Sequence, residues 1–245
     1  NFDVVYRVFR ICGREACMFF VDGFAKDEIM EKLLEFFYGI QDEDLLRDAH
    51  TFSKSCVPYC EVAISGEEDT IVGQILSGVW AVFVDGMDQC VLIDQRTYPQ
   101  RTTSEPDQDK SFRGSRDGFV ETMVFNAALI RRRIRSPRLC VEHLEVGETS
   151  RTDVAVCYFE GRADPELVNT VRERIAQARV DALTMNQESL AELLVRKRWY
   201  NPFPKFKFTE RPDAAAAQIL EGDVVVLVDN SPAAIILPTT LFDVM

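Results

Sequence analysis

The chain repeats itself, and the repeat restricts the fold more than any other feature of the sequence. Ile75-Leu76-Ser77-Gly78-Val79-Trp80-Ala81-Val82-Phe83-Val84-Asp85 aligns without a gap, 144 positions on, with Ile219-Leu220-Glu221-Gly222-Asp223-Val224-Val225-Val226-Leu227-Val228-Asp229. The same offset sets Pro58 on Pro202 and Ile64 on Phe208. Nearer the start of each half, Val21-Asp22-Gly23-Phe24-Ala25-Lys26-Asp27-Glu28-Ile29 matches Phe159-Glu160-Gly161-Arg162-Ala163-Asp164-Pro165-Glu166-Leu167 at an offset of 138, so six residues are inserted between the two blocks. Unrelated α/β units share one such match through common turn grammar. Three in the same order point to a duplicated unit.

Each half reads β-β-α-α-β-α-β-β. In the first, Val4–Ile11 and Ala16–Val21 are rich in β-branched and aromatic residues and predict strands. Lys26–Phe37 carries one apolar stripe (Ile29, Met30, Leu33, Leu34, Phe37), with Asp27 and Glu28 where a helix N-terminus favours acid. Glu61–Ile64 predicts a short strand and Asp69–Leu76 a helix ended by Gly78. Trp80–Val84 and Val91–Asp94 predict a hairpin around Gly86-Met87-Asp88. In the second half, Leu139–Val146 and Asp153–Phe159 predict strands. Asp164-Pro165 predicts an N-cap and first helical residue, with Leu167, Val168, Val171 and Ile175 as the buried face. Glu188–Val195 is a further helix and Pro212 opens another. Val224–Val228 and Ala234–Leu237 close the half around Asp229-Asn230-Ser231-Pro232.

The fold class that follows is α/β (α+β): two similar subdomains, each a small mixed β-sheet packed with helices. A chain of 245 residues suits one large domain or two small ones, and the repeat selects two. The expected boundaries are 1–97 for the first subdomain, 98–135 for a linker and connecting helix, and 136–245 for the second. The linker is the polar, proline-bearing run from Tyr98 to Lys110. Charge changes there too: residues 1–110 hold 10 Lys/Arg against 21 Asp/Glu, residues 111–245 hold 18 against 19. Beyond it, Val120, Met123, Ala127, Ile130 and Ile134 share one face of a helix expected to pack on one or both subdomains.

Composition narrows function. The net charge is −12, which argues against nucleic acid as partner. Seven cysteines without framework spacing point to reduced, mostly buried thiols. Two histidines, His50 and His143, and no Cys-x-x-Cys pair leave no zinc set. His143 reads as a solvent-facing or hydrogen-bonded strand residue. No apolar run approaches the roughly 20 residues of a membrane span. No nucleophile elbow, phosphate loop or dinucleotide fingerprint occurs, and Asp107-Gln108-Asp109 lacks the glycine and glutamate of a calcium loop. No catalytic residue, metal or cofactor is expected.

Two features rise above this background. Phe112-Arg113-Gly114-Ser115-Arg116-Asp117-Gly118-Phe119-Val120-Glu121 puts two arginines beside two glycines. It reads either as an anion or partner-protein contact at the subdomain junction or as a linker whose arginines pair with nearby acids. Arg131, Arg132, Arg133, Arg135 and Arg138 crowd the C-terminal end of the following helix. They suit an anionic lipid surface, an acidic neighbouring subunit, or a solvated helix end. Trp199-Tyr200-Asn201-Pro202-Phe203-Pro204-Lys205-Phe206 reads as the entry to a strand, since Pro202 falls on Pro58 in the repeat.

The run Phe112–Glu121, followed by Asn126-Ala127-Ala128-Leu129-Ile130-Arg131-Arg132-Arg133-Ile134-Arg135, resembles the Arg-Gly-Pro-x-Glu-Gly-Phe and Leu-Ile-Arg-Arg-Arg-Ile segments of GerA-type spore germinant receptor A subunits. Thr152-Asp153-Val154-Ala155-Val156, Ala163-Asp164-Pro165-Glu166-Leu167-Val168, Asn201-Pro202-Phe203-Pro204 and Thr209-Glu210-Arg211-Pro212-Asp213 extend it. Ser115-Arg116-Asp117, where receptors more often carry Pro-Arg-Glu, and Phe20-Val21-Asp22-Gly23-Phe24 are similar to the stage V sporulation protein AF branch.

The resemblance implies a two-subdomain soluble N-terminal region, followed after Met245 by membrane-spanning segments. It places that region on the core side of the spore inner membrane, with other germination subunits and further copies of itself as partners. It brings no catalytic residue. The expected role is subunit assembly or signal coupling to a membrane channel. Arg113, Arg116, Glu121, Asn126, Arg131, Arg132 and Arg133 are the candidate contact residues. The alternative is a sensor binding a germinant or anion between the subdomains near Arg113, Arg116 and Glu121.

Overall fold

The computed structural model describes residues 1–58, 61–98, 117–178, 187–194 and 206–238. The linker 98–110 lies outside them apart from Tyr98, as do Arg113, Arg116 and all but Phe206 of the aromatic run 199–206. The described chain forms two compact units. Residues 3–98 with 135–137 make the first, called here the N-unit; residues 1–2, 117–134 and the described residues from 138 to 238 make the second, the C-unit.

The N-unit runs β1 (Val4–Ile11), β2 (Arg14–Val21), α1 (Asp27–Gly39), α2 (Ala49–Cys56), β3 (Val62–Ser65), α3 (Glu68–Leu76), β4 (Trp80–Val84) and β5 (Cys90–Ile93). The C-unit begins with α4 (Met123–Arg133) and then repeats the order: β6 (Leu139–Val146), β7 (Thr152–Phe159), α5 (Pro165–Ala176), α6 (Gln187–Leu194), β8 (Lys207–Thr209), α7 (Pro212–Glu221), β9 (Val224–Val228) and β10 (Ala234–Leu237). The strand order is β1-β2-β4-β5-β3 in one sheet and β6-β7-β9-β10-β8 in the other.

The duplication extends to register. Trp80 faces Ile93 and Val224 faces Leu237. Ala16 faces Val84 and Val154 faces Val228. Ser65 faces Cys90 and Thr209 faces Ala234. Each pair matches at the offsets read from sequence, 138 for the second strand and 144 from the third onward. The first hairpin turns on Cys12 and Gly13, both at positive φ as a two-residue turn between twisted strands requires. Its counterpart takes the longer path Gly147–Arg151.

The β-α-β grammar of each half implies a mixed sheet. The ladders correct this: every one is antiparallel. β3 and β4, joined by the single helix α3, do run the same way, but β5 inserts between them and opposes both. A hairpin folding back into the gap turns a would-be parallel pair into two antiparallel ones.

Period-two alternation sends each strand's side chains to two faces. In the N-unit, Phe9, Met18, Phe20, Trp80, Val82 and Ile93 meet Leu33, Leu34 and Phe37 of α1 and Phe52 of α2. On the other face α3 brings Ile71 and Ile75 onto Ala81, Cys90 and Leu92. In the C-unit, Val154, Val156, Val224 and Val226 pack on α5 and α6. The opposite face packs on both α7 and α4.

The caps follow local chemistry. Asp164 accepts from the N–H of Glu166 with Pro165 at the first helical position, and Asp48 accepts from Thr51. Gly78 and Gly222 end α3 and α7 at φ of 101° and 112°. A Cβ at either would lie 2.7 Å from the Phe24 ring or 2.9 Å from the Arg162 carbonyl, so both positions demand glycine twice over.

Candidate functional site

The arginine-bearing helix α4 belongs to the C-unit, where its apolar stripe is core. Met123, Ala127, Ile130 and Ile134 are buried with Leu139, Val141, Ala155 and Cys157 of the sheet. It starts three residues later than its periodicity predicts, for a reason visible in its side chains. Asn126, only 1% exposed, donates to the Val120 carbonyl at 2.5 Å and accepts from the Val120 N–H at 2.8 Å. That clamp holds Val120 out of the helix. Thr122 makes no side-chain cap; Asp229, in the β9–β10 turn, accepts from the Met123 N–H at 3.0 Å in its place. The Asn230 N–H donates to the Glu121 carbonyl at 2.8 Å.

The arginines divide by direction. Arg131 is fully buried and donates to the Leu139 carbonyl at 3.1 Å. It lies four residues after Ala127 and three before Ile134, inside the buried stripe. A buried guanidinium on a carbonyl at a helix C-terminus is favoured by charge-assisted bonding and by the helix dipole. Arg133 donates to Asp117 at 2.6 Å and to the Leu129 carbonyl at 2.9 Å. Arg138 forks onto the Glu160 carbonyl and lies over the Phe159 ring. Arg132 is half-buried, and the Glu121 side chain and Arg135 are exposed.

Of the seven candidate contact residues, then, Asn126, Arg131 and Arg133 serve the internal bonding of the C-unit. Glu121 and Arg132 reach its surface. Arg113 and Arg116 lie outside the described residues.

Sequence reasoning did not single out Asp117, Asp229 or Asp213, the acids that hold this region. Asp213 takes a fork from Arg211 and feels Arg133; the bonds from Arg211 are the main cause of a pKa below the ordinary carboxylate range. Elsewhere in the unit, burial alone would raise Glu142, but bonds from Arg172 and Tyr158 outweigh it and hold its pKa down. Tyr158 is pushed up by burial and by its bond to Glu142.

His143 is exposed and bonds Asp153 at 2.8 Å. Six cysteines are described, all as free thiols, and burial raises Cys17, Cys56 and Cys90, the last to about 11. Among the described residues no group of three or more His, Cys, Asp or Glu is placed to hold a metal, and no helix is long and apolar enough to cross a membrane. A groove of about 730 Å³ in the N-unit is lined by Phe36, Ile40, Leu45, Cys56 and Val57 with Glu35 and Lys54.

This architecture defines a duplicated two-unit α/β domain whose buried polar side chains are mostly spent on caps, forks and carbonyl bonds. The chain belongs to the Bacillus/Clostridium GerA spore germination protein family, whose profile matches residues 1–245. It is 42% identical over 246 residues to the stage V sporulation protein AF of Bacillus subtilis (strain 168), covering 99% of this chain and 49% of that one. It is 30% identical over 202 residues to spore germination protein KA of the same organism, covering 81% and 37%. The crystal structure of the N-terminal domain of the A subunit of the Bacillus megaterium spore germinant receptor GerK3 superposes with a TM-score of 0.70 at 25% identity, covering 98% of this chain and 89% of that one. The family expected from the Phe112–Arg135 segment, and its stage V AF branch, agree with these matches. The chain spans about half the length or less of these curated relatives.

Proposed function

We propose that this chain is the non-enzymatic N-terminal region of a spore germination membrane protein. In this reading it assembles subunits or couples a signal to a membrane channel, on the core side of the spore inner membrane. The observation that supports it best is the match across nearly the whole chain to the N-terminal domain of a germinant receptor A subunit. The deployment of the polar groups agrees: the arginines, acids and asparagine of the α4 region mostly bond their own unit, which suits a rigid body that transmits position.

The contact surface then falls to Arg113, Arg116, Glu121 and Arg132, and the partners are other germination-complex subunits and further copies of the protein. Charge reversal at Arg113 and Arg116 in the full-length protein tests this. Spores carrying R113E with R116E should germinate poorly while the protein accumulates to normal levels. Normal germination at normal protein level removes the role. Titration of residues 1–245 with a panel of germinants by calorimetry separates this reading from the sensor alternative: saturable heat with one germinant would favour the sensor.

A further inference from the structure

The two units differ where one sheet face meets its cover. In the C-unit, the face opposite α5 and α6 lies under α7 and α4, and Val141, Ala155, Cys157 and Leu227 on it are fully buried. The equivalent positions in the N-unit, by strand register, are Tyr6, Cys17, Phe19 and Phe83. Among the described residues, only α3 packs on that face. Tyr6 is 64% exposed and Phe83 36%, and Cys17 and Phe19 are half-buried. The three rings form a continuous cluster, with Tyr6–Phe19 and Phe19–Phe83 centroids both 5.8 Å apart. Strand burial shows the same contrast: β9 is buried along its whole length, whereas β4 is interrupted at Phe83.

We propose that this aromatic face seats a helix of the same polypeptide, the counterpart of α4, carried on the segment immediately upstream of β1 in the longer protein. The duplication itself names the occupant. Order and register are kept strand for strand, and in the C-unit the helix that covers this face is the one that enters the first strand. Five residues separate Arg133 from Leu139. The counterpart ends at a like distance before Val4 and is about as long as the 11-residue α4. Its inward stripe carries apolar residues at the spacing of Met123, Ala127 and Ile130, because a helix meets a twisted sheet along one such stripe. Its contact residues are smaller than those of α4, because Tyr6 and Phe83 already fill space that Val141 and Leu227 leave open in the C-unit.

The test uses the full-length protein in its native membrane with a photo-crosslinking benzoyl-phenylalanine in place of Tyr6. After irradiation and digestion, the crosslinked peptide should come from the stretch upstream of β1, within one polypeptide. A crosslinked dimer, a link to another protein, a link to any other stretch of the chain, or no link at all overturns the proposal. Hydroxyl-radical footprinting of the unsubstituted full-length protein gives an independent reading. Oxidation at Tyr6 and Phe83 should fall about tenfold relative to Tyr38, which is comparably exposed here on a different surface. Equal oxidation at the three overturns it.

Discussion

The N-unit and the C-unit share five strands, an alternating pattern and matched registers, yet among the described residues one closes both faces of its sheet and the other closes one face and part of the second. The difference is a single helix. α4 takes its place in the C-unit through a stripe of small and aliphatic residues, one buried arginine and an aspartate borrowed from a distant turn. The sheet beneath it responds in kind: Ala155 and Cys157 are small where α4 presses on them, and Cys17 and Phe19 stand at the same positions in the N-unit. Cover and composition are coupled, because a close-packed interface constrains volume on both sides.

The largest effect separating the units should come from cutting into the cover. Ile130→Ala removes a fully buried side chain from the α4 interface and should cost about 3–4 kcal/mol. Tyr6→Ala, on the matching but open face, should change the stability of residues 1–245 by about 0.5 kcal/mol or less. Urea unfolding of both variants checks the pair, and equal losses would show that the two faces are equivalent after all.

Glycine replacement comes next and should strike both units alike. Gly78→Ala and Gly222→Ala each combine a left-handed φ with a Cβ contact under 3.0 Å, for a loss of about 2–3 kcal/mol. A large effect at one site alone would break the equivalence of the two helix ends.

Arg131→Met should cost about 2 kcal/mol, because it abolishes a charge-assisted bond and leaves the Leu139 carbonyl without that donor. Asp229→Ala removes the remote cap of α4 at about 1 kcal/mol, and hydrogen exchange at the Met123 amide should report it directly.

Acid should weaken both units gradually. Asp213 in the C-unit and Asp94 in the N-unit are held below the ordinary carboxylate range by Arg211 and Arg96. A carboxylate depressed in the folded state contributes fully above its unfolded pKa. It loses that contribution as the pH falls through the folded value, here below about pH 4. The urea midpoint should drop between pH 5 and pH 3, and Asp213→Asn should flatten part of that slope. Both carboxylates are partly solvated, so this is the smallest of the effects.

Much of this was legible in the chain. The strand at Trp80–Val84, its partner at Val224–Val228 and the Asp164-Pro165 helix start fall where alternation, offset and capping chemistry put them. The α4 stripe was legible too, and with it Arg131: four residues past Ala127, an arginine cannot share the solvent side with its neighbours at 100° per step. Its burial was missed because arginine is seldom fully buried and because a run of basic residues draws the eye to surface chemistry. Asp229 lies 106 residues from the amide it caps, so no local pattern announces it.

The sequence alone determined the repeat, the order of elements, the faces of strands and helices, and the family. Those rest on local periodicity and on similarity position by position, which need no third dimension. The tertiary structure decided that β5 slips between β3 and β4, that α4 closes the C-unit, and that Arg131 and Arg133 bond within that unit. Each of these depends on which long-range partner reaches a surface first and packs it densely. A linear pattern offers several such partners, and only packing and hydrogen-bond satisfaction choose among them.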